Sequence, residues 1–313
     1  MAKAIEQLKS GLTIGNFGLG MHGNDVGSVK HQVHDGDTVF VRAFGNFGIR
    51  FLGIDTPEIS FTLPGNGNFI SISDQRWADF LTDPFAAQYP PLNLNAGLRN
   101  FLLDRLGEGT AANHYDHALA AQRALEQEIL NDLNELSQEK EDFQFFVAFA
   151  SEIMDRYGRL LAYINRSQKE EPRPLDYNSR VLKAGMANPY FIWPNINPFR
   201  KQRSIRDSVP EPNSANTIAN QESTLRQARG WVQDARTRGV GLFDINDPLR
   251  LQPFELRFLA QRRAPNRWVI DLSKNDDVLI NPQEYYKVPN TEDRLFIPDE
   301  DLPLFVEKGW RKQ

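Results

Sequence analysis

Residues 33–58 have the sequence VHDGDTVFVRAFGNFGIRFLGIDTPE, and this stretch decides the interpretation of the fold. Two runs within it, TVFVRAF and GIRFLGI, are rich in β-branched and aromatic residues, as strands are. Between them, GNFG at residues 45–48 offers the glycines and asparagine that suit the positive backbone angles of a hairpin turn. We therefore predict a β-hairpin centred on Asn46 and Phe47.

The acids of this stretch lie at the open end of the predicted hairpin. Pairing about Asn46–Phe47 places Asp37 opposite Thr56 and Thr38 opposite Asp55, so that Asp37 and Asp55 are neighbours across the two strands. Adjacent carboxylates repel each other unless a cation lies between them, and an all-oxygen ligand set favours Ca²⁺ or Mg²⁺ over zinc. The alternative is that these acids are only turn and N-cap residues.

Arg50 belongs to the same stretch but lies five residues before Asp55. In an extended strand that separation is about 16 Å. Arg50 approaches the acids only if the strand bends, and Gly53 is the residue at which we expect the bend. A sharply curved strand is typical of a small closed barrel.

Composition describes an ordinary globular protein. The chain has 313 residues, a net charge of −5, 40% hydrophobic residues and no cysteine, which excludes disulfides, thiolate metal sites and a cysteine nucleophile. No apolar run approaches the ~20 residues of a membrane helix. The first twenty residues lack the layout of a secretory signal, so we expect a cytoplasmic protein. A removed export signal is the alternative.

Charge is distributed unevenly along the chain. Residues 126–142 contain seven acids and one lysine, whereas residues 143–245 contain 15 Lys and Arg against 10 Asp and Glu. This distribution indicates a basic module with an acidic insert, which is compatible with an anionic partner. The basic run at residues 200–206 is either a phosphate-attracting segment or a solvated loop.

Several further elements follow from periodicity and turn residues. Residues 59–110 are rich in Pro and Gly, and we predict loops there with one helix near residues 96–106. Apolar residues at three- and four-residue spacing predict a long helix over Ala111–Lys140, with His114 and His117 facing solvent. The remaining predicted elements are strands at 143–151 and 159–165, a helix at 223–239, and strand-like pieces FELRFLA, RWVIDL, VLI and RLFI after residue 246.

Three motifs in order, DGDTV, IRFLGIDTPE and DRYGRLLAYI, resemble the staphylococcal nuclease (thermonuclease-like) family. The resemblance covers residues 26–62 and 143–243. It implies an α+β fold: a five-stranded OB-fold β-barrel with packed helices, here with a long helical insertion at about 59–142. The implied organisation is an irregular lead-in at 1–24, a nuclease-like domain at 25–245, and a small C-terminal α+β extension of unknown role at 246–313.

The resemblance also implies a set of site residues. Asp37 and Asp55 match the carboxylates that hold Ca²⁺ in the family, Thr56 matches a backbone-carbonyl ligand, and Glu58 matches the glutamate that activates or orients water. The positions matching phosphate-binding arginines are Arg50 and Arg159, and those matching nucleotide contacts are Arg156, Tyr157, Phe191 and Trp193. For Phe191 and Trp193 the alternative is core packing.

These residues predict a Ca²⁺-dependent endonuclease that hydrolyses phosphodiester bonds of DNA or RNA. The alternative is a non-catalytic nucleic-acid-binding or scaffolding module on the same barrel. Glu58 and Asp155 are farther apart in this chain than the family's spacing implies, and the surplus includes the long helix. Three roles for that helix remain open at this point: shielding the groove, forming a homodimer, or extending the helical face of the domain.

Overall fold

A computed structural model describes residues 4–8, 13–15, 17–22, 25–26, 28–35, 38–155, 157–196 and 204–313. Helices and strands alternate through these residues, which confirms the mixed α+β class. The strands are β1 Ile5–Gln7, β2 Thr13–Gly15, β3 Phe17–Leu19, β4 Met21–His22, β5 Asp25–Val26, β6 Val33–Asp35, β7 Thr38–Val39, β8 Val41–Ala43, β9 Ile49–Phe51, β10 Gly53–Asp55, β11 Ser60–Thr62, β12 Phe69–Ser71, β13 Phe145–Met154, β14 Leu160–Arg166, β15 Asn188–Ile192, β16 Trp268–Asp271, β17 Val278–Leu279, β18 Arg294–Ile297 and β19 Arg311–Lys312. The helices are α1 Val29–Gln32, α2 Gln75–Thr82, α3 Ala96–Leu103, α4 Thr110–Leu136, α5 Tyr177–Lys183, α6 Ala215–Gln221, α7 Ser223–Arg238, α8 Pro253–Gln261 and α9 Leu302–Glu307, and short 3₁₀ turns span Arg206–Ser208, Gly241–Phe243, Pro282–Lys287, Thr291–Asp293 and Asp299–Asp301.

The chain divides into two compact units. One unit comprises Met1–Arg50 and Phe149–Ala162, and the other comprises Phe51–Ala148 and Tyr163–Gln313. The segment after residue 246 lies in the same unit as the DTPE stretch and the long helix.

A four-stranded sheet organises the second unit, with strand order β10–β15–β18–β16. β10 is antiparallel to β15, β15 is parallel to β18, and β18 is antiparallel to β16. The predicted strands RWVIDL and RLFI are therefore confirmed as β16 and β18. β18 pairs with β15, which in turn pairs with β10, so the C-terminal segment belongs to the same sheet as the strand that ends at Asp55.

Hydrophobic cores cover both faces of this sheet. Because side chains alternate along a strand, Leu295 and Ile297 join one core while Phe296 joins the other. The first core also receives residues of α5, α6, α7 and α9, and the second receives residues of α2, α3 and α8. Ile54 packs into the first core, so the neighbouring Asp55 faces the side on which α8 packs.

The predicted hairpin about Asn46 and Phe47 is wrong. In the structure β8 pairs with β3, β7 pairs with β6, β9 pairs with β14, and β10 pairs with β15. Asp55 lies opposite Asn188, and Thr38 lies opposite Asp35. Part of the physical reason is Gly53, whose φ of +76° separates β10 from β9, so that β10 joins a different sheet. The bend was predicted at this residue, but its effect on strand pairing was not.

The first unit contains short antiparallel pairs of strands: β1 with β2, β3 with β8, β4 with β5, and β6 with β7. The predicted irregular lead-in thus contains β1 to β4. Strands β13, β14 and β9 form a three-stranded sheet. Within the described ranges these strands do not join into a closed five-stranded barrel, so the OB-type barrel is not confirmed.

Helix boundaries follow local capping. The side chains of Asp74, Asn95 and Asp176 accept hydrogen bonds from backbone N–H groups at the starts of α2, α3 and α5. Gly239, with φ +61°, ends α7 one residue after its last helical turn, as predicted. The long helix is also confirmed, as α4, which ends at Leu136.

FELRFLA is a helix, not the predicted strand. Pro253 occupies the first turn of α8, and the Glu255 carboxylate accepts a hydrogen bond from the backbone N–H of Gln252 at 2.8 Å. This arrangement is a capping box, which starts a helix from within an apolar run. None of the helices in the described ranges combines the length and the apolar composition of a membrane-spanning segment.

Candidate functional site

The DTPE stretch lies at the edge of the four-stranded sheet. β10 ends at Asp55, whose side chain is only 1% exposed, and the chain then turns through Pro57 to Glu58. A carboxylate this buried requires a compensating partner, because burial disfavours its charged form. The partner of Asp55 comes from the C-terminal segment.

Arg257, on α8, binds both carboxylates of the DTPE stretch. Its Nη1 donates to Asp55 Oδ1 at 2.9 Å, and its Nη2 donates to Asp55 Oδ2 at 2.7 Å, forming a two-pronged ion pair. Nη1 also donates to Glu58 Oε1 at 2.7 Å. Side-chain exposure is 19% for Arg257 and 21% for Glu58, so the cluster reaches solvent on the Glu58 side. A single guanidinium thus connects the two acids.

Asp55 and Glu58 stabilise the positive charge of Arg257. Burial of Arg257 opposes its charged form, but the negative charges of Asp55 and Glu58 outweigh burial and raise the pKa of Arg257 above its ordinary value. The two carboxylates therefore favour the positively charged form of Arg257. Charge-assisted bonds of this planar fork are among the stronger hydrogen bonds in proteins.

The helix that carries Arg257 is itself held by buried polar contacts. Glu255 is fully buried, accepts a hydrogen bond from the Tyr285 hydroxyl at 2.6 Å, and caps the first turn of α8. Burial raises the pKa of the Glu255 carboxyl. Arg294 donates to the Gln252 side chain at 3.1 Å, which fixes the residue preceding α8. These contacts fix the position of α8 and therefore the region that the Arg257 side chain can reach.

His114 supports the same stretch from α4. Its Nε2 accepts a hydrogen bond from the backbone N–H of Glu58 at 2.9 Å, and the ring is fully buried. The predicted solvent-facing position of His114 is therefore wrong, because Ala118 and Ala121 on the same helical face are buried with it. His117 is half-buried, with Nε2 located 2.8 Å from the carbonyl oxygen of Asp247.

Burial lowers the pKa of His114 to about 3, and the positive charge of Arg257 adds to this effect. The Leu251 backbone and the negative charge of Asp55 raise the pKa of His114, whereas His117 lowers it further. Nε2 is thus the unprotonated nitrogen that an acceptor role requires. The ring holds the Glu58 backbone only while it is neutral.

This lowered pKa predicts a loss of stability in acid. Above pH 6.5 the ring is neutral in both states, so it contributes no pH dependence. Between pH 6.5 and about 3 the unfolded chain takes up a proton that the folded chain does not, so stability falls with pH by about 1.4 kcal/mol per unit. Unfolding midpoints of the wild type and His114→Gln, measured from neutral pH downward, should converge as pH falls. Parallel curves for the two proteins would contradict the prediction.

Other predicted site residues lie in the first unit. Arg159 is held by Asp155: its Nε donates to Asp155 Oδ2 at 2.8 Å, and its Nη2 lies 2.7 Å from the same oxygen. Asp155 Oδ1 accepts from the backbone N–H groups of Tyr157 and Arg159, and the Arg159 guanidinium lies 5.3 Å from the centre of the Tyr157 ring. Arg159 is 41% exposed. Arg50 lies half-buried in β9. Asp37 and Arg156 lie outside the described residues.

Two predicted nucleotide contacts are core residues. Phe191 and Trp193 are both buried in the first core of the sheet. Trp193 packs edge-on against Phe305 at 5.0 Å, and its Nε1 donates to the carbonyl of Ser208 at 3.0 Å. Both residues thus fit the core-packing alternative, since stacking on a base requires an accessible ring. Tyr190, the residue before Phe191, is half-buried and stacked on Phe254.

The described residues do not present a ready calcium site. Ca²⁺ takes six to eight oxygen ligands, typically including several carboxylates. Among the described residues, no group of three or more His, Cys, Asp or Glu side chains is arranged to hold a metal. Asp55 and Glu58 already surround the Arg257 guanidinium. We therefore assign no catalytic step to a metal ion, and calcium binding by Asp37, Asp55 and Thr56 stays a prediction.

Comparison with known proteins gives one partial similarity. Over 150 residues the chain is 28% identical to endonuclease YhcR of Bacillus subtilis (strain 168). The aligned part is 48% of this chain but 10% of that protein. No protein-family model matches the chain, and no solved structure matches it. The chain is thus similar, over about half its length, to a nuclease.

The residues missed by sequence reasoning are Arg257 and His114. Each had a weak signal. Glu255 and Arg257 are charged residues within an otherwise apolar run, where buried charges need partners. His114 lies four and seven residues before alanines, which is the spacing of one helical face. Neither signal identifies Glu58 or Asp55 as the partner.

Proposed function

We propose that this chain is a nuclease that hydrolyses phosphodiester bonds of DNA or RNA. The observation that carries the proposal is its similarity to an endonuclease over 150 residues, in a chain that contains the three nuclease-like motifs in order. Supporting this, Glu58 is held at its backbone by His114 and at one carboxylate oxygen by Arg257. A positioned carboxylate with access to solvent suits proton transfer to or from water.

In this proposal Glu58 activates or orients the attacking water. Arg257 bonds only to Oε1 of Glu58, so the second oxygen of the carboxylate is not engaged by that arginine. Because Glu58 reaches solvent, a water molecule can approach this oxygen. The His114 contact and the Arg257 contact together restrict the motion of the carboxylate, and such positioning is a main source of catalytic advantage.

Arg159 and Arg50 are the proposed phosphate-binding residues. A guanidinium presents a planar fork that matches two phosphate oxygens and stabilises charge that develops during hydrolysis. Asp155 engages Nε and Nη2 of Arg159 and thereby orients its guanidinium, while 41% of the side chain remains exposed. Tyr157, whose ring lies near the Arg159 guanidinium, is a proposed nucleotide contact, and Arg156 is proposed as another from the motif alone.

We also propose two features that the resemblance implies. The first is Ca²⁺ dependence, with Asp37, Asp55 and Thr56 as ligands, and the second is an OB-type barrel as the fold of the nuclease part. Support for them comes from the order of the motifs and the residue types within them. A homodimer through α4 is likewise a proposal, favoured by the exposed Leu130 on that helix.

The proposal is tested by incubating the purified full chain with single-stranded DNA, duplex DNA and RNA. Parallel reactions contain Ca²⁺, Mg²⁺ or EDTA. We expect cleavage of DNA and RNA in the presence of Ca²⁺ and none in EDTA. Cleavage that is equal in EDTA would contradict calcium dependence but not nuclease activity, whereas absence of cleavage under every condition would contradict both.

A non-catalytic nucleic-acid-binding module is the second candidate. The observation that favours it is the ion pair of Asp55 and Glu58 with Arg257, which engages both acids of the DTPE stretch within the chain itself. This candidate predicts retention of labelled oligonucleotides in a binding assay, with no cleavage under any of the metal conditions above.

A further inference from the structure

Arg257 lies where the DTPE acids are expected to hold a cation. It comes from 202 residues beyond Asp55 along the chain, yet it makes three hydrogen bonds to Asp55 and Glu58 of 2.7 to 2.9 Å. We propose that Arg257 is the built-in cation of the Asp55–Glu58 pair, and that divalent cations compete with its guanidinium for this position. The inference goes beyond nuclease activity, because it concerns which cation neutralises the pair whether or not the chain cleaves nucleic acid.

The charge of the cluster supports competition. Two carboxylates and one guanidinium leave one negative charge uncompensated among these three groups. Asp55 is almost fully buried, so the pair strongly prefers a positive partner in contact. A divalent ion in place of the guanidinium would balance both carboxylates. Two cations held by the same oxygens at once would repel each other at short range, so occupancy by one opposes the other.

The geometry allows exchange between the two cations. The cluster is open on one side, where Glu58 and Arg257 are each about one-fifth exposed. An ion can therefore reach the Glu58 carboxylate from solvent. The guanidinium of Arg257 is at the end of a long side chain with several rotatable bonds. It can therefore move away from the carboxylates while α8 stays in place. The backbone of α8 is fixed separately, by Glu255 and Tyr285.

A consequence is that the C-terminal segment sets the divalent affinity of the site. With Arg257 present, an ion must displace three charge-assisted hydrogen bonds before it reaches both acids. Without Arg257, Asp55 and Glu58 are left facing each other with no positive partner from α8, and the pair becomes a stronger ligand for a hard cation. Removal of Arg257 should therefore increase calcium affinity.

The test measures calcium binding in the absence of nucleic acid, by isothermal titration calorimetry and by the thermal shift that calcium causes. We compare the wild type with Arg257→Gln and with Arg263→Gln, which removes the same charge from an exposed position near the end of α8. We expect calcium affinity to rise at least tenfold in Arg257→Gln and to be unchanged in Arg263→Gln. Equal affinity in the wild type and Arg257→Gln would overturn the proposal.

Two further variants test whether calcium binds at the Asp55–Glu58 pair and provide a second measurement if Arg257→Gln does not fold. Adding Asp55→Asn to Arg257→Gln should remove the gain in calcium affinity, and a retained gain would overturn the assignment to this pair. If Arg257→Gln does not fold, Arg257→Lys keeps the charge but loses the two-pronged contact with Asp55. We then expect calcium affinity several-fold above that of the wild type, and no increase would overturn the proposal. Because the readout is binding without substrate, its failure is distinguishable from a failure of the nuclease proposal.

Discussion

Glu58→Gln should reduce the rate of nucleic-acid cleavage by a factor of about 10²–10⁴, which is the usual contribution of a positioned acid–base group. The amide keeps the size of the side chain and retains an oxygen that can accept the hydrogen bond from Arg257. It loses the negative charge and the ability to take a proton from water. The measurement is the initial rate of single-stranded DNA cleavage, together with the thermal unfolding midpoint of each protein.

Glu284→Gln is the matched control for this substitution. Glu284 is 25% exposed and forms a 2.7 Å ion pair with Lys287, closely matching the exposure of Glu58 and the length of its pair with Arg257. It lies in the same unit but outside the candidate site. We expect cleavage by Glu284→Gln at the wild-type rate. A Glu58→Gln protein that folds and cleaves within a few-fold of the wild type would show that Glu58 is not the catalytic carboxylate.

Asp132→Asn should lower the free energy of unfolding by about 3–5 kcal/mol, the cost of breaking a buried ion pair at one partner. Asp132 is 3% exposed, and its carboxylate accepts hydrogen bonds from Arg166 at 2.9 Å and from the Tyr177 hydroxyl at 2.6 Å. Arg180 lies 2.9 Å from the same carboxylate. Burial opposes the charged form, but the hydrogen bonds from Arg180 and Tyr177 outweigh it and lower the pKa of Asp132.

An asparagine at position 132 removes the negative charge that pairs with the guanidinium groups of Arg166 and Arg180. It also directs an N–H₂ donor toward groups that are themselves donors. Glu128→Gln is the control, because Glu128 is on the same helix and pairs with the same Arg180, but at 38% exposure. Exposed pairs contribute about 0–1 kcal/mol. Denaturant unfolding of the three proteins measures the difference. Equal losses in the two variants would show that burial does not determine the contribution of Asp132.

The Asp132 contacts also explain what the long helix does within its unit. They join α4 to β14 through Arg166 and to α5 through Tyr177 and Arg180. At its other end α4 supplies His114 to the DTPE stretch. Of the three predicted roles, extension of the helical face is the one that these contacts support. Shielding of a groove and dimerisation remain predictions.

Local features of the sequence predicted the elements whose formation depends on local physics. Helix α4 follows from three- and four-residue spacing of apolar side chains and the absence of Gly and Pro. Helix α7 ends at Gly239 because glycine adopts the left-handed angle at low cost. β16 and β18 were visible as β-branched and apolar runs. The bend at Gly53 was predicted for the same reason, since a positive φ is a property of a single residue.

Strand pairing was not predictable in this way. The run around Asn46 has the composition of a hairpin, yet its strands pair with β3, β14 and β15. Turn residues permit a hairpin, but the partner that a strand selects depends on which apolar faces can be buried together. Once Gly53 turns the chain, Ile54 enters the first core, and β10 can then pair with β15.

The sequence by itself determined which chemical groups its motifs supply: a carboxylate at each of Asp55 and Glu58, and arginines at positions 50 and 159. Only the tertiary structure decided that Arg257 pairs with both acids and that His114 supports Glu58. The physical reason is that a buried charge must be satisfied by whichever opposite charge the fold brings into contact, and that contact spans 202 residues of sequence. No local pattern encodes such a pair.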